Sequence, residues 1–146
     1  MRHPFIILVV EDNKGDVLMI TEAFEDANLE CQHAVVNNGK AALDYLFKKA
    51  SFESVETPNL ILLDLNIPKY NGMEVLKVLK NNEDLKAIPV VIFTTSSSAN
   101  DVNACYQNHA NCYITKPQDA LGFMNAVTKI EEFWTKYANL SNFSKS

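Results

Sequence analysis

No stretch of this 146-residue chain is apolar for long enough to cross a bilayer. Basic charge is in the minority: 13 Lys and Arg stand against 18 Asp and Glu, for a formal net charge of -5. That balance argues against non-specific attraction to nucleic acid or to an anionic membrane surface, so neither DNA nor a membrane is expected as a partner. Cysteine is scarce, and Cys31, Cys105 and Cys112 are odd in number and without zinc-site spacing. An export signal is missing as well, because the apolar run Phe5 to Val10 passes straight into Glu11 and Asp12 with no small-residue cleavage site. The cysteines are therefore expected to be reduced packing residues of a cytoplasmic protein. His3, His33 and His109 are scattered, with no spacing to support a shared metal, and His109 reads as a helix end. Internal repeats, low-complexity tracts and linkers are absent too. The expectation is one domain over 1–146, with a core of about 5–139 and a tail over 140–146.

What the chain does have is organised around the stretch Asn59 to Pro68, NLILLDLNIP. Four apolar residues, Leu60 to Leu63, run without polar alternation into Asp64, as in a strand buried on both faces. A short buried helix would give the same run, but Pro58 and Asn59 before it and Pro68 after it bound a strand-length element. Ligands gather at the carboxyl ends of the strands in open parallel sheets. A carboxylate there is costly to bury without a partner.

The same alternation recurs along the chain. Phe5 to Val10, Cys31 to Val36, Val90 to Phe93 and Cys112 to Thr115 read as further strands. Helical periodicity covers about Lys14 to Ala27, Lys40 to Lys49, Asn71 to Lys80, Asn100 to Gln107 and Asp119 to Ala138, while Ala50 to Pro58 reads as a loop. Asp12 or Asn13 can cap the first of these helices. Five β-α units predict an α/β fold, a parallel sheet with helices on both faces.

Four strands end in polar groups: Glu11-Asp12, Asp64, Thr94-Thr95 and Lys116. Singly, each reads as a cap, a turn residue or a solvated charge. On one edge of a parallel sheet they can converge. Three carboxylates close together repel and need a counter-charge, which a hard divalent cation such as Mg²⁺, bound by oxygens, and Lys116 would supply. A carboxylate nucleophile, a cation, a hydroxyl and a lysine together suit a phosphoryl group.

At these residues the chain resembles the receiver domain of two-component response regulators, through LVVEDN, LILLDLNIPKYNG, IPVVIFTTS and CYITKP. The resemblance implies a flavodoxin-like, doubly wound five-stranded sheet in the order 2-1-3-4-5. It implies that Asp64 is phosphorylated by a histidine kinase, and that Mg²⁺ is bound by Glu11, Asp12, Asp64 and the Asn66 carbonyl. It makes Thr94 the hydroxyl switch residue, Tyr113 the aromatic switch residue and Lys116 the lysine of the site, with a cis Lys116–Pro117 bond. Ser96, two after Thr94, falls where dephosphorylation is tuned. Such a protein is a phosphoacceptor with at most slow self-catalysed transfer and hydrolysis, and not a turnover enzyme. AALDYLF, LDLNIPK, HANCYITKP and KIEEFW resemble, more narrowly, the small regulators that partner cyanobacterial phytochromes.

Two other readings compete. A phosphohydrolase with Asp64 as nucleophile would want an acid two residues on, where Asn66 stands. A receiver-like binding module that is never phosphorylated would have no need of Asp12, Asp64, Thr94 and Lys116 together. In the last helix, Ala120, Phe123, Met124, Val127, Ile130 and Trp134 fall on an arc that should cover the sheet. Phe133, Tyr137 and Leu140 widen it beyond what one sheet face needs: either they fold back over the helix's own core, or they form a symmetric homodimer through this helix, the fourth helix and the fifth strand.

Overall fold

The five apolar runs are the five strands of one parallel sheet. In the computed structural model, which describes residues 4–141, they are β1 (Phe5–Val10), β2 (Cys31–Val36), β3 (Leu60–Leu63), β4 (Val90–Thr94) and β5 (Cys112–Thr115). The order across the sheet is β2-β1-β3-β4-β5, as the resemblance implies. Between and after them lie α1 (Lys14–Ala27), α2 (Gly39–Leu46), α3 (Gly72–Lys80), α4 (Ala99–Gln107) and α5 (Ala120–Glu132). Most of the tail expected over 140–146, and His3, lie outside the described residues.

The central strands are apolar throughout because both faces are covered, yet the two-residue period still divides them. Ile7, Val9, Leu60, Leu62, Val91 and Phe93 face one layer, where they meet Ile20 and Phe24 of α1 and Phe123, Val127 and Ile130 of α5. Leu8, Val10, Ile61, Leu63, Val90 and Ile92 face the other, against Ala42 and Leu46 of α2, Val75, Leu76 and Leu79 of α3, and Cys105 of α4. The edge strands β2 and β5 are only partly buried, which is why their sequences are less uniformly apolar.

Every helix starts on a side-chain cap at the carboxyl edge of the sheet. Asn13, Asn38, Asn71, Ser98 and Asp119 each accept a hydrogen bond from the backbone N–H three residues on, and Glu74 completes a capping box with Asn71. Two glycines allow loops to close on this edge. A Cβ on Gly72 would sit 2.3 Å from the carbonyl oxygen of Asp64, and one on Gly39 would sit 1.9 Å from that of Tyr70. The loop after β3 is thereby pressed onto the starts of α2 and α3, and Asp64 is held on a short leash.

Three elements differ from the sequence reading. The helix expected to Lys49 ends at Leu46, with Phe47 as its cap and Lys48 in a left-handed conformation (φ 58°). A short 3₁₀ turn, Ala50–Phe52, occupies the expected loop. The last helix does not run regularly to Ala138: from Phe133 to Tyr137 it widens into a π turn. There the Thr135 hydroxyl donates to the carbonyl oxygen of Glu131 at 2.7 Å, and the N–H of Ala138 reaches back five residues to Phe133.

Candidate functional site

The ends of β1, β3 and β5 meet at one ammonium. Lys116 follows β5, held by its N–H on the Thr94 carbonyl oxygen at 2.7 Å, and is buried. Its Nζ donates to Glu11 Oε1 at 2.7 Å, Asp64 Oδ2 at 2.9 Å and Asp16 Oδ2 at 2.7 Å. An ammonium has three donors, and all three are used. The structure therefore joins Glu11, Asp64 and Lys116, as the sequence predicts, and adds Asp16, which the sequence reading missed.

The second oxygens of Glu11 and Asp64 are also engaged. Glu11 Oε2 accepts from the N–H of Asn13 at 3.1 Å, and Asp64 Oδ1 accepts from the N–H of Asn66 at 3.2 Å. Glu11 is pushed up to about 7, chiefly by burial, with the Asp64 charge adding to the effect and Lys116 opposing it. Burial alone would make Lys116 less basic; the bonds to Asp16, Glu11 and Asp64 outweigh it and hold the ammonium above the usual lysine range.

Asp12 behaves differently. It is exposed, makes no hydrogen bond or ion pair among the described residues, and lines an open cleft of about 430 Å³ with Leu65, Asn66, Pro68 and Asp101. Among the described residues no three His, Cys, Asp or Glu side chains are gathered around one metal-sized point, because Glu11 and Asp64 turn to Lys116 while Asp12 faces the cleft. The oxygen-only chemistry still fits a hard cation. Asp12 is an unpaired carboxylate, Asn66 lines the same cleft, and Asp64 stands at the next strand end; a small divalent ion keeps several waters and needs few protein oxygens.

Thr94 ends β4 and is fully buried, and its hydroxyl oxygen finds no hydrogen-bond partner among the described residues. Such an orphan costs about 1–3 kcal/mol. The loop that follows is tied to Tyr113: the tyrosine hydroxyl donates to the Ser96 carbonyl oxygen at 2.8 Å, and the Ser96 hydroxyl donates to Asp101 Oδ2 at 2.6 Å. Tyr113 is thus anchored to the loop beside Thr94, and its hydroxyl is not left to water. Ser98 is the cap of α4. His109 lies just past the end of α4 in a left-handed conformation (φ 72°). The Lys116–Pro117 bond is trans, which corrects the cis bond implied by the resemblance. Here the turn into α5 is made through the extended cap Asp119, whose carboxylate accepts from the N–H of Gly122.

A sequence profile of the response regulator receiver domain matches residues 7–128. The chain is 42% identical over 137 residues to the response regulator Rcp1 of Synechocystis sp., spanning 94% of this chain and 93% of that protein. It is 43% identical over 134 residues to the probable methanogenesis regulatory protein FilR2 of Methanothrix harundinacea, spanning 91% and 85%. Among solved structures, the phosphorylated cyanobacterial phytochrome response regulator RcpA superposes with a TM-score of 0.92 at 39% identity, over 96% of this chain and 100% of that one. The Mn²⁺-bound form of Rcp1 superposes with a TM-score of 0.91 at 41% identity, over 95% and 100%.

Proposed function

Because this chain belongs to the response regulator receiver family, we propose that it is a cytoplasmic phosphoacceptor that takes its phosphoryl group on Asp64 from a histidine kinase. The observation that carries the reading is Thr94: a buried hydroxyl with no partner, on the strand next to Asp64, is completed by an oxygen that arrives on Asp64. An Asp64 carboxylate oxygen attacks the phosphorus, the P–N bond to the kinase histidine breaks, and the electron pair leaves with the imidazole. Lys116 moves one N–H from Asp64 to the new phosphoryl oxygens, and the Thr94 hydroxyl donates to another. Asp12, Asp64 and the Asn66 carbonyl, with Glu11 beside them, would hold Mg²⁺. Bound there, the ion supplies charge neutralisation for the transferring group. Water later attacks the phosphorus and releases phosphate, slowly and without turnover of a substrate.

The drawing in of Thr94 pulls on the loop to which Ser96 and Tyr113 are bonded, and so shifts the population of the α4, β5 and α5 face. The likeness to RcpA and Rcp1 supports a phytochrome-type kinase as the partner. The phosphohydrolase reading still lacks its leaving-group acid at Asn66, and the inert binding module leaves the Thr94 orphan without a purpose. The test is exposure to acetyl phosphate or to purified phosphorylated kinases, a phytochrome kinase among them, with and without EDTA. Mass spectrometry should place the label on Asp64 only when a divalent cation is present, and label that survives Asp64→Ala overturns the assignment.

The same face supports a homodimer. Phe133 and Tyr137 are 52% and 72% exposed beside the half-buried Trp134, whose ring meets the Phe133 ring at 5.1 Å. Ala120 is exposed, whereas Phe123, Val127 and Ile130 cover the sheet. Sedimentation should show dimers of the wild type at tens of micromolar and monomers of Phe133→Glu with Tyr137→Glu. A wild type that stays monomeric with and without beryllofluoride rules the dimer out.

A further inference from the structure

Asp16 lies outside the strand-end acids. It stands in the first turn of α1, where its N–H donates to the Asn13 cap at 2.9 Å. An acid at that place ordinarily returns its carboxylate to the N–H of the cap residue. Here that N–H is taken by Glu11 Oε2, and the Asp16 carboxylate reaches instead to Lys116, a hundred positions away, at 2.7 Å. The contact is as short as the Glu11 one and shorter than the Asp64 one. Asp16 meets the ammonium from a second cleft, lined by Met19, Thr95, Pro117 and Phe123, and its side chain is 20% exposed.

We infer that Asp16 is a positioning residue that tethers Lys116 and sets how readily its ammonium passes to a phosphoryl group on Asp64. The inference rests on the phosphoacceptor reading. A phosphoryl group brings its own oxygens and can take the N–H now given to Asp64. Every carboxylate that stays on Lys116 lowers what the ammonium offers that group, and the Asp16 charge also repels it. For a cation in the acidic site the sign reverses, because Asp16 adds attraction. Removing the charge while keeping the oxygen, in Asp16→Asn, should therefore move anion and cation affinity in opposite directions. A merely structural role would weaken both.

The experiment has two readouts. Without metal or phosphate, the slowly exchanging Lys116 ammonium signal in ¹H–¹⁵N spectra of the wild type should broaden or vanish in Asp16→Asn. By titration, Asp16→Asn should bind Mg²⁺ alone about 2- to 5-fold more weakly, and beryllofluoride at saturating Mg²⁺ about 3- to 10-fold more tightly, as expected for one partly exposed charge-assisted contact. Asp16→Glu should restore both toward wild type. Asp26→Asn, which removes the same charge from an exposed position on α1, should change neither. An unchanged ammonium signal, or two affinities that fall together or stay fixed in Asp16→Asn, overturns the tether. A wild type that binds no beryllofluoride but loses the ammonium signal in Asp16→Asn overturns the phosphoacceptor reading itself, and the proposed consequence with it.

Discussion

Lys116→Met will lose about 3–5 kcal/mol of stability at neutral pH, the usual cost of stripping one partner from a buried ionic cluster. The substitution keeps the apolar stem and removes the one cation that Glu11, Asp16 and Asp64 share. Glu11 and Asp64 are almost wholly buried, so little water can replace it. The loss will depend on pH, and its sign follows from Glu11. That carboxyl sits at about 7 with Lys116 present, well above the ordinary glutamate range, and Lys116 is one of the groups that lower it. Without Lys116 it moves higher still. An acid whose folded value is raised is most compatible with the fold when protonated; its contribution is intact below the unfolded value and fades as pH rises through the folded one. The deficit of Lys116→Met relative to wild type should thus be smallest near pH 5 and largest above pH 8. Urea unfolding at three pH values measures it, and added Mg²⁺ should recover part of it by mass action, because the cation stands in for the lost ammonium. A deficit that is flat with pH would mean that the acids do not depend on Lys116.

Much of this site is legible before any coordinates. Buried parallel strands leave unbroken apolar runs, and Asn, Ser and Asp caps mark where each helix leaves the carboxyl edge, so Glu11, Asp64, Thr94 and Lys116 fall at strand ends by inspection. Asp16 does not. An acid in the first turn of a helix has an ordinary local explanation in the helix dipole, and nothing near it in sequence names Lys116 as its partner. The usable signal was the filled cap: once Asn13 caps α1, Asp16 is fixed one turn in, on the side of the strand ends. Asp101 was missed for the same reason, since it too reads as a first-turn acid, of α4, while lining the cleft with Asp12. The early end of α2 had no local breaker either, as Phe47, Lys48 and Lys49 all tolerate a helix. The trans Lys116–Pro117 bond departs from what the resemblance implied, and its isomer is not written in the two residues.

Glu131 is the opposite case, a residue whose position was legible and whose character misled. It lies four after Val127 and eight after Phe123, on the face of α5 that covers the sheet, yet an acid at that spacing is normally assigned to solvent. In the structure it is 0% exposed. Its Oε2 accepts from the Cys31 thiol at 2.7 Å, and its Oε1 has no partner among the described residues. Burial raises its pKa and the Cys31 hydrogen bond only partly offsets this, while burial and the neighbouring acid push the Cys31 thiol up to about 12. Glu131 is therefore a charge that folding must either desolvate or protonate. Glu131→Leu, similar in volume and apolar like the Val127 and Ile130 around it, should stabilise the protein by about 1–3 kcal/mol at pH 8, within the range for replacing buried ionic groups by packed apolar ones. For a chain of this length that is about 2–4 °C in melting temperature per kcal/mol. Glu131→Gln should gain less, since it removes the charge but keeps polar atoms to satisfy. The wild type loses stability as pH rises through the raised value of Glu131 and the variants do not, so their advantage should be small near pH 4.5 and grow toward pH 8. Thermal melts across that range decide it. Variants that melt below the wild type at pH 8 would show that the Cys31–Glu131 contact holds β2 to α5 more strongly than the buried charge destabilises them.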